Sequence, residues 1–194
     1  MKHTALAFAI AALLAGCNTS SNDSQAPSAA EQAYEYLVQL SSSAEGIGAR
    51  PTGTEAETRA AAWIQDHLTG WGYDVQKQPF TYTKSGADKA SQNLVAELKG
   101  QSDKVILIGV HYDSTGDKHG SEGATDNGAG VAALLAVAEA LKGQTLPYTV
   151  RFAFFGAEEN GLNGSKAYVA SLDSAAIAQL VAMVNYDTIA GGDI

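Results

Sequence analysis

Apolar positions along this chain follow two different periods. From Ser28 to Leu40, Tyr34, Leu37 and Val38 recur at helical spacing, and from Thr54 onward Ala60, Trp63, Ile64, His67, Leu68 and Trp71 fall on one stripe. Thr54 with Glu57 three residues later predicts a capping box for the second helix, and Gly70 its end. The stretch between the helices, Gly48 to Thr54, reads as a loop from its Gly and Pro content. Tyr73 to Thr83 alternates loosely, as an edge strand does, and Asn93 to Leu98 predicts a second strand. Three further runs, Val105 to Val110, Thr149 to Phe155 and Val181 to Asn185, are apolar without alternation, the pattern of strands buried on both faces. Helices separate them. Asn127 to Lys142 puts Val131, Leu134, Leu135, Ala138 and Leu141 on one stripe before a Lys142-Gly143 stop, and shorter helices are predicted over Asn163 to Leu172 and Ser174 to Leu180. Strands alternating with helices predict an α/β fold, a three-layer α/β/α sandwich with a mixed, mainly parallel central sheet.

The amino-terminal residues do not belong to that pattern. Lys2 and His3 lead into an apolar run from Ala5 to Leu14, too short to span a bilayer, which takes roughly 20 residues. Leu14-Ala15-Gly16-Cys17 resembles a bacterial lipoprotein cleavage box, so residues 1–16 read as an export signal and Cys17 as the lipidated first residue. A plain secretory signal with an incidental cysteine is the alternative, less favoured because Cys17 is the one cysteine of the chain. It also leaves no partner for an internal disulfide. Residues 17–30 are rich in Ser, Asn, Asp, Gln, Ala and Pro and read as a tether, and residues 31–194 as one domain. The expected location is beyond the inner membrane, attached by lipid to the cell envelope. A formal net charge of −9 argues against binding a phosphate backbone, so no nucleic-acid partner is expected.

In open α/β sheets, ligands bind beyond the carboxyl ends of the strands. Val110 is followed there by His111-Tyr112-Asp113-Ser114, Phe155 by Gly156-Ala157-Glu158-Glu159-Asn160-Gly161, and Asn185 by Tyr186-Asp187-Thr188. Ala124-Thr125-Asp126-Asn127-Gly128-Ala129-Gly130 opens the long helix. Taken singly, Asp126 is an ordinary helix cap and Asp187 an ordinary turn residue. Together, one imidazole and several carboxylates converge on one rim, at the ends of apolar strands where unpaired acids are costly, and a cation would compensate them. A donor set of nitrogen and oxygen without thiolate suits zinc, with cobalt or manganese as substitutes.

These four segments together resemble metallopeptidase family 28, the co-catalytic zinc aminopeptidases, and Gly48 to Thr54 is similar to that family's glycine-arginine-glycine segment. The resemblance runs from about Tyr34 to the last residue. It implies two zinc ions, with Asp126 bridging them, His111 and Asp187 completing the protein ligands of one, and Glu159 binding the other. It implies Glu158 as general base and Asp113 as the acid that orients His111. The implied reaction is hydrolysis of the first peptide bond of peptides or proteins with a free amino terminus.

The family's further ligand, a histidine near the carboxyl end of the domain, has no counterpart. His3 is in the signal, His67 sits on an apolar stripe where packing is the better reading, and His119 reads as a solvated loop residue. The closing strands of the family's sheet are absent too. The chain therefore reads as the N-terminal and central part of such a domain, truncated, with one flank of its core exposed. Two rival readings are a glutaminyl-peptide cyclase, which shares the scaffold with a single zinc, and a non-catalytic lipoprotein that keeps the fold as a binding surface. Retention of Glu158, which has no structural duty, speaks against the second.

Overall fold

The computed structural model describes residues 26–116 and 121–190. Cys17, the export signal, most of the tether and His119 lie outside the described residues. Helix α1 (Ala29–Ser41) starts at Ser28, whose hydroxyl accepts from the Glu31 amide while the Glu31 carboxylate accepts from the Ser28 amide at 2.8 Å. It begins two residues inside the stretch read as tether. Helix α2 (Glu55–Gly70) is capped by Thr54, but only half of the expected box forms. The Glu57 carboxylate is turned inward and accepts from the Gly53 amide and the Ser91 hydroxyl, both at 2.6 Å.

The chain continues through β1 (Val75–Lys84), β2 (Ala87–Leu98) and β3 (Val105–His111) to α3 (Ala129–Leu141) and β4 (Thr149–Phe155). It ends with α4 (Asn163–Ser171), α5 (Ser174–Gln179) and β5 (Leu180–Tyr186). The five strands form one sheet in the order β1-β2-β4-β3-β5. Pairings β1–β2 and β2–β4 are antiparallel, while β3–β4 and β3–β5 are parallel, so the sheet is mixed.

Two apolar layers follow from the pleat. Leu94, Ala96, Ile108, Val110, Val150, Phe152 and Phe154 face one side and bury against α1, α2 and α3. Val95, Leu107, Ala153 and Phe155 face the other and pack on Tyr168 of α4. This is the expected three-layer sandwich. His67 lies in an aromatic cluster with Tyr36, Trp63 and Trp71, ring centroids 4.6 to 5.5 Å away, which bears out its packing role.

The run Val181 to Asn185 departs from the burial on both faces that its apolar pattern predicts, and agrees with the exposed flank expected of the core. It forms β5, but at the sheet edge, paired with β3 alone, and Val181 and Met183 are 50% and 55% exposed. An unbroken apolar run marks a strand suited to burial on both faces; among the described residues little covers this one.

Candidate metal centre

The site is built on a strap, residues 48–53, pinned by a buried arginine. Arg50 has no exposed surface, and its guanidinium donates to the carbonyls of Leu40, Gly48, Tyr112, Glu122 and Gly123 at 2.7 to 3.2 Å. Its amide donates to the Ser114 hydroxyl at 2.9 Å and its carbonyl accepts from the Ser114 amide at 3.1 Å. One side chain thus ties the end of α1, the segment after β3 and the approach to Asp126. Sequence reading found this loop but not the arginine's part in it, which only its five separated carbonyl partners reveal.

Asp126 lies in a turn, Ala124–Gly128, with φ −119° and ψ 94°, outside helical geometry. The cap of α3 is supplied by Asn127, whose side-chain oxygen accepts from the Gly130 amide at 3.2 Å. Its side-chain amide also donates to the Tyr186 carbonyl at 2.8 Å, fixing the turn to the end of β5. The glycines answer to crowding. A Cβ on Gly128 would lie 2.1 Å from the Ser41 hydroxyl, and one on Gly130 would lie 2.3 Å from the Asn127 oxygen. Asp126 is thereby left with no capping duty and its carboxylate half exposed.

His111 ends β3 and is buried, with Nε2 at 3.0 Å from Asp126 Oδ1 and 3.6 Å from Asp187 Oδ1. These three donor atoms all lie within 4.8 Å of one another. Nε2 nonetheless makes no hydrogen bond, although it is buried. Close donors that do not satisfy each other and aim at common space are what a metal ion requires. On the other ring edge, Nδ1 is 3.2 Å from the main-chain carbonyl of Asp113 and 3.6 Å from its carboxylate. Burial lowers the imidazole's pKa, but Asp113 foremost, then Glu158 and Asp126, hold it up at about 9. A bound cation would take the place of that proton.

Asp113 is fully buried and works as a hub. Its carboxylate accepts from the amides of Glu158 at 3.0 Å and Glu159 at 3.2 Å and from the Thr52 hydroxyl at 2.7 Å. Burial pushes its pKa up, yet the His111 imidazole and these donors hold it below the ordinary aspartate value. The two glutamates follow β4 through Ala157, buried at φ 55°, a left-handed turn that aims both amides at Asp113. The acid expected to orient His111 fixes the Glu158–Glu159 turn, while the Asp113 atom within hydrogen-bond reach of His111 Nδ1 is its main-chain carbonyl.

The glutamates part company. Glu158 lines a cavity of about 190 Å³ with His111, Phe155, Leu162, Met183 and Asp187, and burial raises its carboxyl above the ordinary value, with Asp113, Asp187 and Asp126 adding to the rise against the pull of His111. Glu159 is outside the three-residue donor group; it lines a cleft of about 320 Å³ with Thr52, Lys84 and Ser114. Its Oε1 is buried without a partner, and burial followed by the Asp126 charge raises it to about 7. The residues singled out in the sequence thus share one rim, with His111, Asp126 and Asp187 gathered and Glu159 coupled to them through Asp126. Thr52 and Asn127, which hold this arrangement, carried no chemical signal of their own in the sequence.

The model of peptidase family M28 matches residues 93–193. The chain is 41% identical over 110 residues to the "probable lipoprotein aminopeptidase LpqL" of Mycobacterium tuberculosis, covering 56% of this chain and 21% of that protein. It is 35% identical over 158 residues to leupeptin-inactivating enzyme 1 of Streptomyces exfoliatus, covering 79% and 34%. It thus spans about a third or less of these relatives' lengths. In fold it resembles a zinc aminopeptidase from Bacillus subtilis, with a TM-score of 0.73 at 20% identity over 85% of this chain and 70% of that one. It equally resembles a glutaminyl cyclase from an Acidobacteriales bacterium, with a TM-score of 0.74 at 21% identity over 89% and 63%. Since the matched residues 93–193 carry His111, Asp113, Asp126, both glutamates and Asp187, the chain belongs to peptidase family M28.

Proposed function

We propose that this chain belongs to a zinc-dependent aminopeptidase that hydrolyses the amino-terminal peptide bond of peptides and proteins. The observation that carries the reading is the buried, unbonded Nε2 of His111 facing the Asp126 and Asp187 carboxylates. In this reading His111 and Asp187 would hold one zinc ion and Glu159 a second, with Asp126 available to both. Burial foremost, and then the neighbouring carboxylates, raises Glu158 and Glu159, and a cation among them would relieve both costs. Zinc bound there supplies an activated water and polarises the scissile carbonyl.

The chain's own residues do the rest. Glu158, in its half-buried cavity and with a raised pKa, takes the water's proton as hydroxide adds to the carbonyl carbon, and returns it to the amine nitrogen as the C–N bond breaks. Asp113 holds the glutamate turn and the His111 ring in register. The acidic rim suits a substrate's protonated α-amine. We assign residues 1–16 to an export signal, 17–30 to a tether attached by lipid at Cys17, and 31–194 to the catalytic domain; the named mycobacterial relative supports the envelope location. Among the described residues no helix is long and apolar enough to cross a membrane.

Cyclase structures share the fold equally well, so fold does not separate the two chemistries. The relatives with higher sequence identity carry aminopeptidase names, which favours hydrolysis. The deciding assay offers an aminoacyl anilide and an N-terminal glutamine peptide side by side. Chelator-sensitive release of the amino acid supports the proposal, and ring closure of glutamine without hydrolysis contradicts it.

A further inference from the structure

Asp113 is a buried carboxylate with three donors on its two oxygens. Two of them, the amides of Glu158 and Glu159, come from the turn it serves. The third is the Thr52 hydroxyl, 2.7 Å from Oδ2, and it arrives from a different part of the chain, 61 residues away. Oδ2 also receives the Glu159 amide, while Oδ1 receives the Glu158 amide and lies 3.6 Å from His111 Nδ1, which is 3.2 Å from the main-chain carbonyl of the same residue. A carboxylate can rotate about its Cβ–Cγ bond and exchange those roles. A short hydrogen bond to one oxygen from a fixed point prevents this. Thr52 is such a point, because Arg50 two residues earlier is locked by five carbonyls and by reciprocal bonds to Ser114, and Pro51 bridges Ser114 directly.

We infer that Thr52 is a positioning residue of this site: its hydroxyl fixes the Asp113 carboxylate, and through it the Glu158–Glu159 turn beside His111. The inference rests on the peptidase reading for its effect on turnover, but not for its effect on the turn. It gives the strap 48–53 a part in the chemistry that acts through Asp113. Removal of the hydroxyl frees the carboxylate to swing, so the glutamate amides lose protection and the donor atoms lose their register. Outer partners of metal ligands commonly affect affinity or activity by roughly 10–100-fold.

The test compares Thr52→Val, which keeps the shape and loses the donor, with Thr52→Ser, which keeps the donor. Amide hydrogen exchange is measured at Glu158 and Glu159 against Val110 on β3, which reports global opening. Thr52→Val should speed exchange at both glutamates relative to Val110, shift the visible spectrum of bound Co(II), weaken Co(II) binding roughly tenfold and lower kcat with little change in KM. Thr52→Ser should restore all four. Wild-type exchange and an unchanged Co(II) spectrum in Thr52→Val would overturn the inference, as would a serine variant no better than valine. Exchange needs neither metal nor substrate. An inert wild-type chain would therefore count against the peptidase reading, while the glutamate amides still decide for or against Thr52.

Discussion

Asp126 and Asn127 are neighbours with opposite duties, and the difference lies in where each side chain finds its partners. Asn127 is fully buried, caps α3 through Gly130 and holds the Tyr186 carbonyl, whereas Asp126 is left to face His111. From sequence, either could have been the cap, because both residue types favour that position. A similar division separates Glu158 from Glu159, both legible as a pair of acids at a strand end but placed against different walls by the left-handed turn at Ala157. The division predicts distinct phenotypes. Glu158→Gln should keep its metal and lose about 10²–10⁴-fold in turnover, the range for a general base. Metal analysis alongside hydrolysis of an aminoacyl anilide checks this, and wild-type turnover in that variant would remove Glu158 from the mechanism.

At the scale of elements, α2 and α3 were legible from a helical period and recognisable ends, Thr54 as a cap and Lys142-Gly143 as a stop, and β3 to β5 from unbroken apolar runs, while in α1 the expected stripe misses the buried face: Tyr34 is exposed, and Tyr36 and Leu40 are buried. The chemistry-bearing strand ends were legible for the same reason. What was not legible is how the elements are tied together. Nothing local distinguishes Arg50 from a solvated arginine, since its partners lie up to 73 residues away. Its burial lowers its pKa to about 10 against the support of Asp113, so it remains charged at neutral pH. Lysine keeps a charge but lacks the planar fork that reaches five carbonyls. Arg50→Lys should therefore lower the unfolding free energy by at least about 2 kcal/mol, from hydrogen bonds to a charged group that are lost in a buried place. Urea titration measures it, and an unchanged midpoint would mean that the strap is held by other contacts.

For the whole molecule, three layers converge on one rim. Helices α1 to α3 close one face, α4 covers the other, and the parallel strands β3, β4 and β5 present His111, the glutamates and Asp187 at the same end. The layers were predictable from alternating strands and helices, and the exposed flank expected of the core falls at β5; the apolar run by itself did not show it, because such a run records suitability for burial and not the presence of a cover. The chemistry of the molecule rests on the donor cluster at this rim, and metal content is its test. Zinc bound per folded chain should be measured by elemental analysis for the wild-type protein and Asp126→Asn after dialysis against trace zinc. Close to two zinc ions are expected in the wild-type chain and a marked loss of both in Asp126→Asn, because in the proposed site that carboxylate serves each. Zinc absent from a folded wild-type chain, or retained in full by Asp126→Asn, would contradict the proposed site.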